Sequence, residues 1–190
     1  MKFEHVSLSF DGQQIFTDLS LSLSPGSVHC IIGRSGSGKT TILRLMMGLQ
    51  SADDGLISGF DTLRIGVVFQ ENRLIEHLSA FQNVMLVAHP TITPTTVREA
   101  LNGLEIFHQN SPVRTFSGGE KRRVALVRAV LHKGDLLLLD EPFKGLDTPM
   151  SIKAADFVRT QTDGATVLLV AHDREEALRL GTQHIIALSS

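Results

Sequence analysis

Residues 28–47 constrain this chain more than any other stretch. An apolar-rich run, Val28-His29-Cys30-Ile31-Ile32, leads directly into Gly33-Arg34-Ser35-Gly36-Ser37-Gly38-Lys39-Thr40, and a helical pattern continues to Met47 before Gly48 closes it. The octapeptide is a glycine, four residues and then Gly-Lys-Thr, set between a buried strand and a helix start. Glycines let the main chain wrap closely round a phosphate chain with successive N–H groups pointing inward. The helix N-terminus adds a favourable field for anions. Gly33, Arg34, Ser35, Gly36, Ser37, Gly38, Lys39, Thr40 and Thr41 are therefore expected to hold a nucleotide. In that arrangement Lys39 reaches the β- and γ-phosphates, and the Thr40 hydroxyl binds Mg²⁺.

A second apolar run, Leu136-Leu137-Leu138-Leu139, ends in Asp140-Glu141. A carboxylate at a strand end beside a phosphate loop holds Mg²⁺ through its water shell, a role assigned to Asp140. Glu141 is then available to polarise the attacking water as a general base. The implied cofactors are ATP and Mg²⁺.

The rest of the chain supplies an α/β frame for these motifs. Val28 to Ile32, Leu136 to Leu139 and Thr166 to Val170 read as strands buried on both faces, each followed by a loop and a helical pattern. Such alternation predicts a mostly parallel sheet flanked by helices. One helix is expected from about Pro149, capped by Thr148 and ended by Gly164, and another over Arg174 to Leu180. A last strand is expected over Ile185 to Leu188. Near the start, Val6, Leu8 and Phe10 alternate with polar residues, and Asp11-Gly12 signals a turn into a second strand. That pattern predicts an N-terminal antiparallel β subdomain. The stretch from about Glu71 to Phe116, carrying Pro90, Pro94 and Pro112, reads as a small helical insertion. Residues 1–190 are expected to form one domain around it. A formal net charge of −2 gives no strong field for nucleic acid, and a single cysteine, Cys30, allows no internal disulfide. No apolar run approaches the roughly 20 residues of a membrane span.

Phe116-Ser117-Gly118-Gly119-Glu120, followed by Lys121 to Ala129, resembles the signature motif of ATP-binding-cassette (ABC) ATPases. Gln70, after Val67-Val68-Phe69, is similar to the Q-loop glutamine; Gly145-Leu146-Asp147 resembles the D-loop; His172 resembles the switch histidine. The motifs occur in the family's order over nearly the whole chain, implying a P-loop NTPase core. The resemblance implies that Ser117, Gly118 and Gly119 bind the nucleotide held by a second subunit, and that Asp147 lies across the dimer interface. It also implies that Gln70 contributes to the Mg²⁺ and water shell, and that His172 contacts the γ-phosphate. Phe10 stands where the family has an adenine-stacking aromatic; plain hairpin core is the competing reading. Phe116 and Glu120 depart from the family's usual Leu and Gln. Lys144 replaces a usually small residue; it reads as a solvated lysine, with contact to nucleotide or partner the alternative. Arg122, Arg123 and Arg128 read as a solvated helix face complementing nucleotide phosphates.

The implied function is an ATP-hydrolysing motor subunit of a membrane transporter, with importers the nearer resemblance. Its implied partners are a second ABC subunit (a homodimer the leading case), a separate transmembrane permease and a solute-binding protein, with no direct nucleic acid. Its implied place is cytoplasmic, at the inner face of the cell membrane through the permease. A soluble non-transport cassette acting on a macromolecular complex is the alternative. Lys39 and Ser117 are too close in sequence to contain the long coiled coil of the DNA-repair relatives.

Overall fold

A computed structural model describes residues 1–162, 164–171, 173–182 and 184–188. The switch histidine expected at His172 therefore lies outside the described residues.

Two sheets organise the chain. Strands β1 (Lys2–Phe10), β2 (Gln13–Ser22) and β4 (Asp54–Ser58) form an antiparallel sheet in the order β2-β1-β4. The β1–β2 turn has Asp11 at φ 50° and Gly12 at φ 80°, the paired positive angles that match the twist of a two-residue hairpin. Strands β3 (Val28–Ile32), β5 (Ile65–Val68), β6 (Leu136–Asp140), β7 (Thr166–Ala171) and β8 (His184–Ala187) form a second sheet in the order β5-β6-β7-β3-β8. Every pairing in it is parallel.

The parallel sheet divides the core by the period-2 rule of strands. Leu137, Leu139, Val167, Leu169, Ala171 and Cys30 join one apolar cluster, while Leu136, Leu138, Leu168, Val170 and Ile31 join the other. The first cluster is completed by α4 (Gly118–Leu131), α5 (Thr148–Gln161) and the insertion. The second is completed by α1 (Lys39–Met46) and the antiparallel sheet. Each fully buried leucine contributes about 1.5–3 kcal/mol over an exposed one, so continuous leucine on β6 fixes this strand in the middle of the molecule.

The insertion is helical, as expected. It holds α2 (Ala80–Met85), α3 (Pro94–Gly103) and a 3-10 turn over Val113–Thr115. Ser79 caps α2 in a capping box with Gln82, and Thr93 caps α3 ahead of Pro94. Buried Asn83 ties the approach to α2, taking the Ile75 N–H and donating to the carbonyls of Ile75, Leu78 and Ser79.

Sequence reasoning misplaced some boundaries. Asp147, not Thr148, is the N-cap of α5, its Oδ1 taking the Met150 N–H at 2.8 Å. The helix ends at Gln161, ahead of Gly164, and the last strand begins one residue before Ile185. The final helix, α6, spans Arg174–Arg179.

Candidate nucleotide site

The site forms where β3 and β6 end and α1 begins, at the carboxyl edge of the parallel sheet, where α/β sheets place their ligands. Gly36 and Gly38 adopt φ of 82° and 86°. At Gly38, the N-cap of α1, a Cβ would stand 2.5 Å from the Phe16 ring, so glycine is required by space as well as by angle. Lys39 is buried, and its Nζ donates to the carbonyls of Gly33 at 2.7 Å and Arg34 at 2.8 Å. Ammonium and loop backbone are thus drawn into one tight ring.

Across the cleft, the Thr40 hydroxyl donates to Asp140 Oδ2 at 2.8 Å, joining residues 100 apart in sequence. Burial pushes the Asp140 carboxyl above its ordinary value, and neighbouring Glu141 adds to this; the Thr40 hydroxyl, Arg122 and Lys39 oppose the rise. Glu141 is buried with φ 48°, its N–H given to Val170 O at 3.1 Å. A cavity of about 220 Å³ is lined by Ser35, Gly36, Gly38, Lys39, Thr40, Thr41, Gln70, Glu141 and Ile15. A neighbouring cleft lined by Thr40, Gln70 and Asp140 continues it. Ser35, Gly36, Gly38, Lys39, Thr40, Thr41, Gln70, Asp140 and Glu141 converge on these two clefts, whereas Phe10, Gly33, Arg34 and Ser37 line neither. Ile15 was not anticipated, because nothing in the sequence marks a hairpin residue as a cleft wall.

Ser117, Gly118, Gly119 and Asp147 do not line this cavity. Ser117 caps α4, accepting from Glu120 N at 3.2 Å, while Glu120 Oε2 accepts the Ser117 N–H at 2.8 Å. Glu120 Oε1 also meets His108 Nε2 at 3.1 Å. The bond from the Ser117 backbone holds the Glu120 carboxyl below its ordinary value, helped by the Ser117 hydroxyl, His108 and Arg123 and opposed by burial. Ser117 and Gly118 are exposed, and Gly119 packs toward Gly145 and Leu146, so the signature end and the D-loop segment share one face. Phe10 is 39% exposed, which removes the hairpin-core reading.

Two readings of basic residues are corrected. Arg122 is 3% exposed, not solvated, and its guanidinium donates to Phe69 O at 2.5 Å, Asn72 Oδ1 at 3.2 Å, Asp140 O at 3.1 Å and Glu141 O at 2.6 Å. Arg128 donates to the carbonyls of Arg73 and Asn72 at 2.7 and 3.1 Å. The signature helix is thereby tied through two arginines to the segment around Gln70. Lys144 is not merely solvated either: its Nζ lies 2.8 Å from Glu141 Oε2. Neither role was readable, because both depend on which loops the sheet brings together.

The arrangement has relatives. The family model described as "ABC transporter" matches residues 16–144. The aliphatic sulfonates import ATP-binding protein SsuB of Granulibacter bethesdensis is 37% identical over 189 residues, covering 98% of this chain and 79% of that protein. SsuB 3 of Nocardia farcinica is 40% identical over 183 residues, covering 94% of this chain and 72% of that protein. Among solved structures, the dimeric post-hydrolysis state of the ATP-binding cassette MJ0796 bound to ADP and Pi superposes with a TM-score of 0.84 at 26% identity, covering 99% of this chain and 94% of that one. A bacterial Atm1-family ABC exporter with ATP bound, 24% identical with a TM-score of 0.83 over 99% of this chain and 36% of that one, shares the fold. With the phosphate loop, two acids and signature helix in one frame, the chain belongs to the ABC transporter family and is an ATP-binding cassette with ATPase activity.

Proposed function

We propose that this chain is the ATP-hydrolysing subunit of an ABC importer, acting as a dimer beneath a separate membrane permease that receives solute from a binding protein. Residues 1–190 act as one nucleotide-binding domain at the inner face of the membrane, with the insertion over residues 71–116 as the arm that meets the permease. Support for a separate membrane part is that no helix among the described residues is long and apolar enough to cross a membrane. Support for import is the naming of the SsuB relatives as aliphatic sulfonates import proteins, which also makes aliphatic sulfonates the first solute class to try.

The observation that carries this reading is the convergence of Lys39, Thr40, Gln70, Asp140 and Glu141 at one sheet edge. N–H groups of the loop from Gly33 to Thr41 cradle the phosphates, with Lys39 on the β- and γ-groups. Phe10 stacks on the adenine. The Thr40 hydroxyl, one Asp140 carboxylate and the Gln70 amide form a set of hard oxygen donors that suits Mg²⁺. Bound Mg²⁺ would neutralise charge on the β- and γ-phosphate oxygens. Glu141 draws the proton from the attacking water, and His172 contacts the γ-phosphate. The partner subunit's signature end, built like Ser117, Gly118 and Gly119 here, closes over the nucleotide, and Asp147 lies in the interface.

Glu141→Gln keeps the shape of the side chain and removes the base. It is expected to bind ATP, to hydrolyse it at least about 100-fold more slowly, and to elute as a dimer in saturating Mg-ATP. A variant that stays monomeric there, or that hydrolyses at the parent's rate, would refute the composite site or the base assignment respectively.

A further inference from the structure

Glu141 carries a partner that the hydrolysis scheme does not use. Its backbone is fixed on both sides: the N–H is given to Val170 O at 3.1 Å, and the carbonyl accepts from Arg122 Nη2 at 2.6 Å. The ion pair with Lys144 therefore bears on where the carboxylate points. Lys144 approaches Glu141 Oε2 to 2.8 Å, yet its side chain is 56% exposed against 9% for Glu141. Glu141 lines the nucleotide cavity and Lys144 does not. One oxygen of the nearly buried carboxylate is thus held by a cation that is itself half exposed to solvent.

Lys144 also rides on the segment that meets the signature end. Its N–H closes a turn onto Glu141 O at 3.2 Å, and the next residue, Gly145, sits at φ 79° with its carbonyl 3.4 Å from where a Gly119 Cβ would stand. Asp147, the cap of α5, follows two residues later. An ammonium on Oε2 occupies lone pairs that would otherwise take a hydrogen bond from water.

We propose that Lys144 is a positioning residue whose ion pair restrains the Glu141 carboxylate and holds hydrolysis below the rate that an unrestrained base would reach. This rests on Glu141 being the base. The exposed lysine limits the strength of the pair, so its removal is worth about two- to five-fold in rate.

The test is steady-state ATPase of the purified chain with Mg-ATP. Lys144→Met is expected to raise kcat about two- to five-fold with KM for ATP unchanged, and Lys144→Arg, which keeps a cation, to raise it less. In a Glu141→Gln background, Lys144→Met is expected to change nothing. A Lys144→Met kcat at or below the parent's, a gain carried by KM, or the same gain without the Glu141 carboxylate would each overturn the restraint. Parental activity in Glu141→Gln alone would instead overturn the base assignment, so the two failures are read separately.

Discussion

Arg122→Met removes the buried fork that joins three functional segments while keeping an apolar stem of similar length. The parent guanidinium makes four hydrogen bonds, to Phe69 O, Asn72 Oδ1, Asp140 O and Glu141 O, at 3% exposure. Desolvation lowers the arginine's own pKa, with Asp140 and Glu141 opposing, so part of the interaction offsets the cost of burying the charge. What remains after substitution is three carbonyls and an amide oxygen without their donor. Each such loss costs about 1–3 kcal/mol where the group stays dry, and the losses do not add fully, giving about 3–5 kcal/mol in all. For a domain of this size about 2–4 °C accompanies each kcal/mol, so the midpoint of thermal unfolding should fall by about 6–20 °C. Nucleotide-free protein followed by circular dichroism reads this directly. Arg122→Lys, with a single ammonium in place of the planar fork, should fall between the two. A midpoint for Arg122→Met within about 2 °C of the parent would refute the reasoning, because exposed arginines are lost at that cost.

Two further predictions concern the strand that feeds the phosphate loop. His29 is 2% exposed, and burial is the main cause of its lowered pKa, with His184 adding and a Ser24 backbone bond opposing. The folded state therefore binds its proton more weakly than the unfolded chain does. This contribution to stability is present above about pH 6.5 and is lost as pH falls through that value, by up to about 1.4 kcal/mol per pH unit until the folded pKa is reached. Urea unfolding between pH 7.5 and 5.5 should show that slope and His29→Leu should flatten it; an unchanged slope in the variant would rule His29 out as its source. Cys30 is fully buried, and burial first, then Glu176 and Asp173, push its thiol up to about 12 against an Ala171 backbone bond. A maleimide at pH 8 should leave the folded protein unlabelled and react once urea unfolds it; stoichiometric labelling of native protein would contradict the burial.

The parts of this protein that can be read from sequence are those where local pattern and tertiary role coincide. The strands ending in Ile32 and Asp140 are apolar on both faces because both faces are covered, so their runs of Leu, Ile and Val announce the central sheet. The phosphate loop is legible because glycine spacing, lysine and hydroxyl act within one stretch of chain. By contrast β4, Asp54-Gly55-Leu56-Ile57-Ser58, carries no alternation, and its pairing with β1 comes from register with distant residues. Arg122 is the sharper case. In sequence it belongs to a basic helix face, and only the approach of Phe69 and Asp140 from two other strand ends turns it into a buried tie. Lys144 and Glu141 stand three apart, a spacing whose meaning depends on a turn with Glu141 at positive φ.

Glu120 shows how a departure from the family pattern is absorbed. The capping box asks its third helical residue for an oxygen acceptor, and glutamate meets that demand as well as glutamine does. The added charge sits at the positive end of a 14-residue helix and 3.1 Å from His108, so its carboxyl is held below its ordinary value by contacts already required for the cap. The same charge has a cost on the outward side. Ser117 and Gly118 are exposed at that helix end, where an anion from a second subunit would approach, and an ionised Glu120 weakens the field it meets. If the signature end meets a partner's nucleotide as proposed, stability of that end and its attraction for phosphate would be set against each other through one side chain, with His108 as the counterweight.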